Sequence, residues 1–397
     1  MTLFSANDPV VILSQARTPM GGLQGALADV SATELGATAV RAAVGRAGVA
    51  PEALERIYMG CVLPAGVGQA PARQAALKAG LPVSVEATTV GKVCGSGMQA
   101  VIMGAEALAA GTISMFVAGG MESMTNAPYM LKKHRAGARA GHDTIIDHMF
   151  FDGLEDAYEG KSMGSYAQAT ADQYQLTREM QDDYAIESLR RANDAITSGA
   201  FAGEVVPVTV KSRKGEVLVD TDEQPPKGNP DKIRTLRPAF AKDGTITAAS
   251  SSSISDGAAA LVLTRQSVAE AKGLKPLARI VAMAAHARQP AEFTVAPVDA
   301  IRKVLAKAEW AVDDVDLFEI NEAFACVAMF AMRDLGLDHD RVNVLGGATA
   351  LGHPIGASGA RILCTLLNAL NLRGKKRGVA SLCIGGGEAT AVALELI

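Results

Sequence analysis

The sequence is poor in features that mark several classes of protein. Aromatic residues make up 4% of its 397 residues, and its five cysteines are scattered without a C-x-x-C pair. An odd number of dispersed cysteines argues against a disulfide framework or a metal site and favours a reducing cytosol, so we expect a cytoplasmic protein. No apolar run is long enough to span a membrane, and the N-terminus lacks the basic segment and cleavage site of a secretory signal. The net charge of −4 offers no excess of positive charge for nucleic acid or an anionic membrane.

The length exceeds that of a usual single domain, so we expect two domains or two fused halves. The 40 glycines and few aromatics favour tight α/β packing of small side chains. After a short polar N-terminal lead, strand-like and helix-like segments alternate, which predicts parallel strands covered by helices. The predicted strands are residues 10–13, 56–60, 84–90 and 114–118, and the predicted helices are residues 31–45, 69–79 and 98–110.

Residues 119–249 interrupt this alternation. They include a polar stretch, a predicted helix at 177–198 and a segment rich in proline and lysine at 222–232. We interpret this region as an inserted loop domain that carries substrate contacts, because long excursions from a compact scaffold are usually functional. The order of turn, helix, strand and glycine turn after Gly95 recurs after Ala357. This repeat predicts two related halves about a pseudo-twofold axis, at residues 1–265 and 266–397.

Three glycine-rich segments each hold one reactive side chain: Cys94, His353 and Cys383. Glycine lets the backbone pass close to a substrate and turn its N–H groups inward as hydrogen-bond donors. Two thiols and an imidazole in such surroundings are the groups needed for nucleophilic acyl transfer and for removal of a proton from carbon. A phosphate-binding P-loop fits poorly, since no Gly-Lys-Ser/Thr closes the glycine run before His353.

Each of these residues also has a structural interpretation. Cys94 precedes a predicted helix whose dipole favours a thiolate, but it could be a buried structural cysteine. His353 is held in extended or turn geometry by the following proline, or it could cap the next helix. Cys383 ends an apolar strand and is either a thiol base beside an oxyanion site or a core residue. Asn321 follows an apolar strand and either holds a water or substrate oxygen or serves as a helix cap.

Five motifs together resemble the thiolase family over essentially the whole chain. They are Val93-Cys94-Gly95-Ser96-Gly97, Gly119-Gly120-Met121-Glu122-Ser123-Met124, Asn321-Glu322-Ala323-Phe324, Gly352-His353-Pro354-Ile355-Gly356-Ala357-Ser358-Gly359 and Cys383-Ile384-Gly385-Gly386-Gly387. The resemblance is strongest to the biosynthetic branch that acts on acetyl-CoA. It implies a five-layer αβαβα fold with two duplicated halves and an inserted loop domain, and a homotetramer built as a dimer of dimers.

The resemblance also implies a role for each site residue. Cys94 would take up the acetyl group, His353 would activate it, and Cys383 would remove the α-proton of the second acetyl-CoA. Gly385 and Cys94 would donate backbone N–H groups to the acyl-enzyme oxyanion, while Asn321, through a water, and His353 would stabilise the enolate. Two oxyanions in different places require two donor sets, and two proton transfers require two bases.

Coenzyme A contacts would lie on the inserted region, by the same resemblance. Ser252 would touch the pantetheine arm, Met163 would line the acyl end, and Lys232 would lie near the nucleotide phosphate. Lys227 stands where relatives have arginine, so an ionic contact remains but bidentate geometry is lost. We expect no metal and no cofactor other than the coenzyme A thioesters that serve as substrates.

The chain departs from the family pattern at a few positions. Gly91 replaces an asparagine, Ser162 replaces a histidine, and a serine-rich run at 249–253 replaces Gly-Asn-Ala-Ser-Gly. Leu189 replaces a tyrosine of the potassium-activated mitochondrial enzyme. None of these changes removes a catalytic group.

The expected activity is the reversible condensation of two acetyl-CoA to acetoacetyl-CoA and free coenzyme A. One alternative is a degradative 3-ketoacyl-CoA thiolase of broader chain length. The other is a non-catalytic protein on the same fold that binds acyl-CoA or lipid.

Overall fold

The computed structural model describes residues 8–212 and 215–397. The part of the predicted polar lead at residues 1–7 lies outside these ranges. The strands are β1 Val10–Arg17, β2 Gly21–Gly22, β3 Arg56–Gly60, β4 Glu86–Val90, β5 Met115–Ser123, β6 Tyr129–Met130, β7 Ile146–Asp147, β8 Val208–Ser212, β9 Gly215–Val219, β10 Ser255–Arg265, β11 Ala278–Ala287, β12 Leu317–Ile320, β13 Arg377–Ile384 and β14 Glu388–Leu396. The helices are α1 Ala32–Ala47, α2 Pro71–Ala79, α3 Ser96–Ala109, α4 Met163–Gln173, α5 Arg178–Thr197, α6 Pro230–Ile233, α7 Gln266–Ala271, α8 Ala296–Ala308, α9 Ala325–Leu335, α10 Ala348–Leu351 and α11 Ser358–Leu372.

The main sheet is mixed, not wholly parallel as the alternation predicts. Its strand order is β12-β13-β14-β11-β1-β10-β5-β3-β4, with β2 paired to β10. Only the pairs of β3 with β4 and β5 and the pair of β12 with β13 are parallel. A tight turn joins β13 to β14, and a short hairpin connection can only produce an antiparallel pair.

The two halves of the sheet repeat the same pairing. The series β3-β5-β10-β1 is parallel, antiparallel and antiparallel, and so is the series β12-β13-β14-β11. The halves meet where β1 pairs with β11, at Val11 with Arg279 and at Ile12 with Ala278. The predicted duplication is therefore confirmed.

Helices divide the molecule into five layers. Helices α3 and α11 share a central core with residues from both half-sheets. Helices α1 and α2 cover the other face of the first half, and α8 and α9 cover the other face of the second. The two central helices approach so closely that a Cβ on Gly359 would lie 2.3 Å from the backbone nitrogen of Met98. This arrangement confirms the predicted αβαβα fold.

The inserted region connects β5 to β10 and contains β6 to β9 and α4 to α6. Strand β5 continues to Ser123, beyond the predicted end at residue 118, because Gly119 to Ser123 stay paired with β10. The predicted helix at 177–198 is confirmed as α5, where the Thr177 side chain accepts the N–H of Met180 at 3.2 Å. In the described part of the chain, no helix combines the length and the apolar character needed to cross a membrane.

Candidate active site

Cys94 lies in a strained turn between β4 and α3. The helix begins at Ser96, two residues earlier than predicted, so Cys94 directly precedes its first turn. Val93 has a φ of +43°, which is unfavourable for a β-branched residue. Hydrogen bonds hold the turn, from the Gly95 N–H to the Lys92 carbonyl at 3.0 Å and from the Ser96 hydroxyl to the Val93 carbonyl at 2.7 Å. Such local strain is typical of functional sites that the surrounding structure enforces.

The environment of Cys94 favours the neutral thiol. Burial raises the pKa of Cys94 to about 11, although the N–H groups of Gly385 and of Cys94 itself act in the opposite direction. The expectation that the helix start favours a thiolate is therefore wrong for the resting protein, because loss of solvation outweighs the local dipoles. The N–H of Gly385 lies beside the sulfur, as the predicted oxyanion site requires.

The imidazole of His353 has a fixed tautomer. Its Nδ1 lies 2.5 Å from the Ser358 hydroxyl, which itself donates to the Pro354 carbonyl at 2.9 Å. A hydroxyl has only one proton to donate, so Nδ1 carries the hydrogen and Nε2 keeps its lone pair. Burial, followed by the charge of Arg361, lowers the pKa of His353 to about 3. His353 is therefore a neutral base, and it does not cap α11, whose N-cap residue is Ala357.

Asn321 presents its amide nitrogen to His353. Its Nδ2 lies 3.5 Å from both ring nitrogens of His353, and its Oδ1 accepts from Nη2 of Arg361 at 3.3 Å. The backbone N–H of Asn321 is bonded to the Ser381 carbonyl at 3.0 Å. Asn321 is not a helix cap, because the next helix begins at Ala325 with Phe324 at its N-cap position.

Cys383 is fully buried near the end of β13. Burial raises its pKa well above the ordinary value, and Cys94 is the first charge-bearing neighbour that adds to this rise. The two thiols are therefore close enough to interact electrostatically. Cys383 packs in the core of the second half, so its environment also fits the structural interpretation.

A cavity of about 260 Å³ opens beside these residues. Its walls include Cys94, His353, Gly385, Ser252 and Met163, so five of the predicted site residues share one cavity. The other four predicted residues do not line this cavity: Asn321, Cys383, Lys227 and Lys232. Much of the remaining wall is apolar, from Met124, Phe150, Leu154, Phe240, Phe293, Phe324 and Ile355.

The two cavity residues from the inserted region have defined neighbours. The N–H and the hydroxyl of Ser252 both donate to the Ala323 carbonyl, each at 3.0 Å, so the hydroxyl oxygen can still accept from a ligand. Met163 begins α4, with Ser162 as its N-cap. A Cβ placed on Gly385 would lie 3.4 Å from the Met163 sulfur, so Met163 closes the cavity over the glycine turn.

The two predicted phosphate ligands are exposed and lie away from the thiols. The ammonium of Lys227 lies 2.5 Å from Oε1 of Glu223, whose Oε2 accepts the N–H groups of Gly22 and Ala26. Lys232 lies on α6, and its ammonium has no hydrogen-bond or ion-pair partner within residues 8–212 and 215–397. The structure thus leaves Lys232 free for an anion and Lys227 already paired.

The departures from the family pattern have plain local roles. Gly91 is exposed, and a Cβ there would meet no atom within 4 Å. Ser162 caps α4 through the Ser165 N–H at 3.2 Å. Leu189 is buried, where a Cβ on Gly228 would lie 2.6 Å from its Cδ1. Across the ranges described, no group of three or more His, Cys, Asp or Glu side chains could hold a metal ion.

Four residues that support the site have no role in the sequence-based prediction: Glu122, Ser358, Arg361 and Glu322. The Glu122 carboxylate accepts the N–H groups of Val62 at 3.0 Å, Leu63 at 3.2 Å and Gly356 at 2.9 Å, which ties the His353 loop to the first half. Burial raises the pKa of Glu122 to about 7. The position of Glu122 inside an apolar strand could have indicated a supporting role, since a buried acidic group must have hydrogen-bond partners.

Glu322 joins the inserted region to the loop after β12. Its carboxylate accepts hydrogen bonds from the Tyr184 and Ser188 hydroxyls, both at 2.9 Å, from the Asn343 amide at 2.8 Å and from the Thr349 hydroxyl at 2.6 Å. These contacts hold the Asn321 loop against α5 and α10.

The cavity brings together the groups that acyl transfer requires. They are the thiol of Cys94, the neutral imidazole of His353 and the backbone N–H of Gly385.

Comparisons with known proteins identify the family to which the chain belongs. Residues 10–267 match the model of the thiolase N-terminal domain, and residues 274–396 match that of the thiolase C-terminal domain. An Arabidopsis thaliana protein named acetyl-CoA acetyltransferase 2 is 50% identical over 98% of this chain and 97% of its own length. A Pseudomonas aeruginosa acetyl-CoA acetyltransferase is 48% identical over 97% of this chain and 98% of its own.

Solved structures give the same result. A Bacillus anthracis acetyl-CoA acetyltransferase superposes with a TM-score of 0.96 at 42% identity, covering 98% of this chain and 99% of its own. The Ascaris suum Acat5 thiolase, solved in complex with coenzyme A, gives a TM-score of 0.93 at 42% identity. The match covers 98% of this chain and 100% of the Ascaris chain. The chain therefore belongs to the thiolase family.

Proposed function

We propose that this protein is an acetyl-CoA C-acetyltransferase that reversibly condenses two acetyl-CoA to acetoacetyl-CoA and coenzyme A through an acetylated Cys94. The observation that carries the proposal is the convergence of Cys94, His353 and the Gly385 N–H on one cavity. The printed names of the full-length relatives support the same activity.

The first half-reaction forms the acetyl-enzyme. Nε2 of His353 takes the proton of the Cys94 thiol as the sulfur attacks the thioester carbonyl, because the resting thiol is protonated. The N–H groups of Cys94 and Gly385 stabilise the oxyanion. The carbon–sulfur bond to coenzyme A then breaks, and the Cys383 thiol donates its proton to the leaving thiolate.

The second half-reaction forms the carbon–carbon bond. The Cys383 thiolate takes an α-proton from the second acetyl-CoA, and the Asn321 amide, through a water, and the imidazolium of His353 stabilise the enolate oxygen. The enolate carbon attacks the acetyl group, the bond to the Cys94 sulfur breaks, and His353 returns its proton to that sulfur. All three groups are then restored to their starting forms.

Two serine variants test this division of roles. Cys94→Ser should abolish acetyl transfer, because a hydroxyl is far less ionised than a thiol. Cys383→Ser should still acetylate Cys94, because a thiolate can leave before it is protonated, but it should lose deuterium exchange of the acetyl-CoA methyl protons. Mass spectrometry of the trapped peptide measures the acetylation. Acetyl label on another residue would refute the assignment of the nucleophile, and undiminished exchange in Cys383→Ser would refute the assignment of the base. A non-catalytic binder would show no label at all.

Coenzyme A is proposed to run from the cavity along the inserted region. Met163 and Ser252 line the cavity itself, and Ser252 has a free acceptor for the pantetheine arm. Lys232 is unpaired in the described structure, so it is better placed than Lys227 to bind the nucleotide phosphate. The double variant Lys227→Ala/Lys232→Ala should raise KM for acetyl-CoA and reduce its dependence on salt, and an unchanged KM would contradict this placement.

Assembly, location and division of the chain are further parts of the proposal. Apolar side chains of the inserted region, including Tyr129, Leu131 and Ile145, are exposed in the single chain, which supports association into a homotetramer. Light scattering after size-exclusion chromatography measures the assembly directly. The five cysteines are free thiols, which supports a reducing, cytoplasmic location. The halves are proposed to divide at residues 265 and 266, between β10 and α7.

A broader chain length is the second candidate, and the apolar wall of the cavity favours it. Phe150, Phe240 and Phe293 offer a surface that a longer acyl chain could contact. Initial rates of thiolysis for 3-ketoacyl-CoA substrates of increasing length decide between the two. A steep fall beyond acetoacetyl-CoA supports the acetyl-specific enzyme, and a maximum at a longer chain supports the broader one.

A further inference from the structure

Arg361 is a buried cation to which the proposed mechanism gives no role. It lies in the first turn of α11, three residues after Ser358, and its side chain is 1% exposed. Residues three apart in a helix share a face. On this face Ser358 contacts the imidazole of His353, and Arg361 contacts the amide of Asn321. One helical turn therefore supplies a partner to each of the two groups assigned to the enolate.

The contact between Arg361 and Asn321 determines which way the amide points. A guanidinium has only donors, whereas an amide has an acceptor end and a donor end, so Arg361 can bond only to the oxygen. With Oδ1 held by Nη2 of Arg361, the amide nitrogen faces His353. The terminal torsion of asparagine is broad and roughly two-fold, so the backbone bond to Ser381 alone does not prevent the amide from turning over.

Glu319 holds the guanidinium in place. Its Oε1 accepts from Nη1 of Arg361 at 2.8 Å, and its side chain is 2% exposed. Burial raises the pKa of Glu319, and Arg361 opposes this rise. A buried pair of this kind contributes little net stability in general, but breaking it is costly, so it fixes the orientation of both partners.

We propose that Arg361 is a positioning residue for the enolate half-reaction: it holds the Asn321 amide with its N–H groups toward the enolate oxygen. Glu319 acts one step further away, by fixing Arg361. This inference rests on the proposed function, since it gives Asn321 its role in stabilising the enolate. Arg361 itself touches neither substrate nor any reacting atom.

The variant Arg361→Lys tests this most cleanly. Lysine keeps the positive charge beside Glu319 and His353 but lacks the fork that reaches Glu319 and Asn321 together. We expect deuterium exchange of the acetyl-CoA methyl group to fall about tenfold or more, while Cys94 acetylation changes less than about threefold. Arg361→Gln should lower exchange further, by about a hundredfold, the order expected when one donor to an oxyanion is lost or displaced.

A cycle with Asn321→Ala separates positioning from general damage. If Arg361 acts through Asn321, Arg361→Lys should cause no further loss of exchange in the Asn321→Ala background. Asn368→Ala is the matched control, because it removes a buried side-chain hydrogen bond from the same helix without touching Arg361. It should lower neither half-reaction selectively.

The outcomes distinguish this inference from the proposed function. If the wild-type protein performs both half-reactions and Arg361→Lys loses only deuterium exchange, the positioning role and the proposed function are both supported. Normal exchange in a folded Arg361→Lys, an equal loss of the two half-reactions, or a full additional loss in the Asn321→Ala background overturns the positioning role and leaves the proposed function intact. Absence of both half-reactions from the wild-type protein overturns the proposed function itself.

Discussion

The protonation state of the resting site leads to a direct prediction about the reactivity of Cys94. Burial raises its pKa to about 11 and lowers the pKa of His353 to about 3, so neither side chain is charged at neutral pH in the resting enzyme. The free site is therefore a neutral thiol beside a neutral imidazole. The Cys94 thiol must then transfer its proton to His353 as it attacks the thioester, because the resting site contains no preformed thiolate.

The magnitude follows from the difference between pH 7 and a pKa of about 11, which is four units. About one enzyme molecule in 10⁴ carries a thiolate at pH 7, against about 3% for a free cysteine with a pKa of about 8.5. The rate of alkylation of Cys94 by iodoacetamide, without acyl-CoA, should rise about tenfold per pH unit from pH 7 to 10 with no plateau.

Mass spectrometry of the Cys94 peptide measures this rate. The other four cysteines are buried, so they should react far more slowly while the protein stays folded. His353→Gln should leave the slope unchanged, because the imidazole does not stabilise a thiolate in the resting state. A plateau between pH 6 and 8 that disappears in His353→Gln would reveal a preformed thiolate–imidazolium pair and refute this reasoning.

Three further outcomes are expected. Ser358→Ala leaves the Nδ1–H of His353 without a partner and frees the tautomer, so the rate of Cys94 acetylation should fall about fivefold for a hydrogen bond worth about 1 kcal/mol. Ser358→Thr keeps the hydroxyl and should keep most of the rate, and a normal rate in Ser358→Ala would contradict this prediction. The folded pKa of His353 lies below its unfolded value, so the unfolded state takes up a proton first as the pH falls below about 6.5. The free energy of unfolding of the wild type, measured in urea relative to His353→Gln, should therefore drop by about 1.4 kcal/mol per pH unit down to about pH 3. A difference that does not depend on pH would count against a neutral buried imidazole. The ion pair of Lys92 with Glu388 joins the Cys94 turn to β14, the strand after the glycine turn. Lys92→Glu should therefore slow Cys94 acetylation, and the charge-swapped double variant Lys92→Glu/Glu388→Lys should restore it. If the double variant stays slow, the effect belongs to Lys92 alone and not to the ion pair.

Local signals in the sequence were sufficient to place the starts of two helices. The helix predicted from residue 31 begins there with a capping box, in which the Ser31 hydroxyl and the Glu34 carboxylate exchange hydrogen bonds with the backbone at the start of α1. Thr177 likewise begins α5 where the pattern places it. Such motifs depend on residues within one turn of each other, so they can be identified without tertiary information.

Tertiary quantities could not be predicted in this way. Strand direction depends on which segments become neighbours, so the antiparallel pairs of β10 and β14 were missed. The pKa of Cys94 moves opposite to the expectation from the helix dipole, because the loss of solvation is set by distant segments. Ser358 lies in the glycine-rich motif that contains His353, and Arg361 follows that motif by two residues. Their contacts with His353 and Asn321 could not be predicted, because they depend on the packing of α11 against the loop after β12.

Burial of Cys383 has a consequence for the order of the two half-reactions. A thiol whose pKa lies well above the ordinary value is protonated in the resting enzyme, so it can serve as an acid toward the leaving coenzyme A thiolate before it serves as a base. The same burial makes the resulting thiolate a stronger base, which is what removal of a proton from carbon requires. The thiolate of an exposed Cys383 would be a weaker base, so the core position that favours a structural interpretation of this residue also suits its proposed role in removing a proton from carbon.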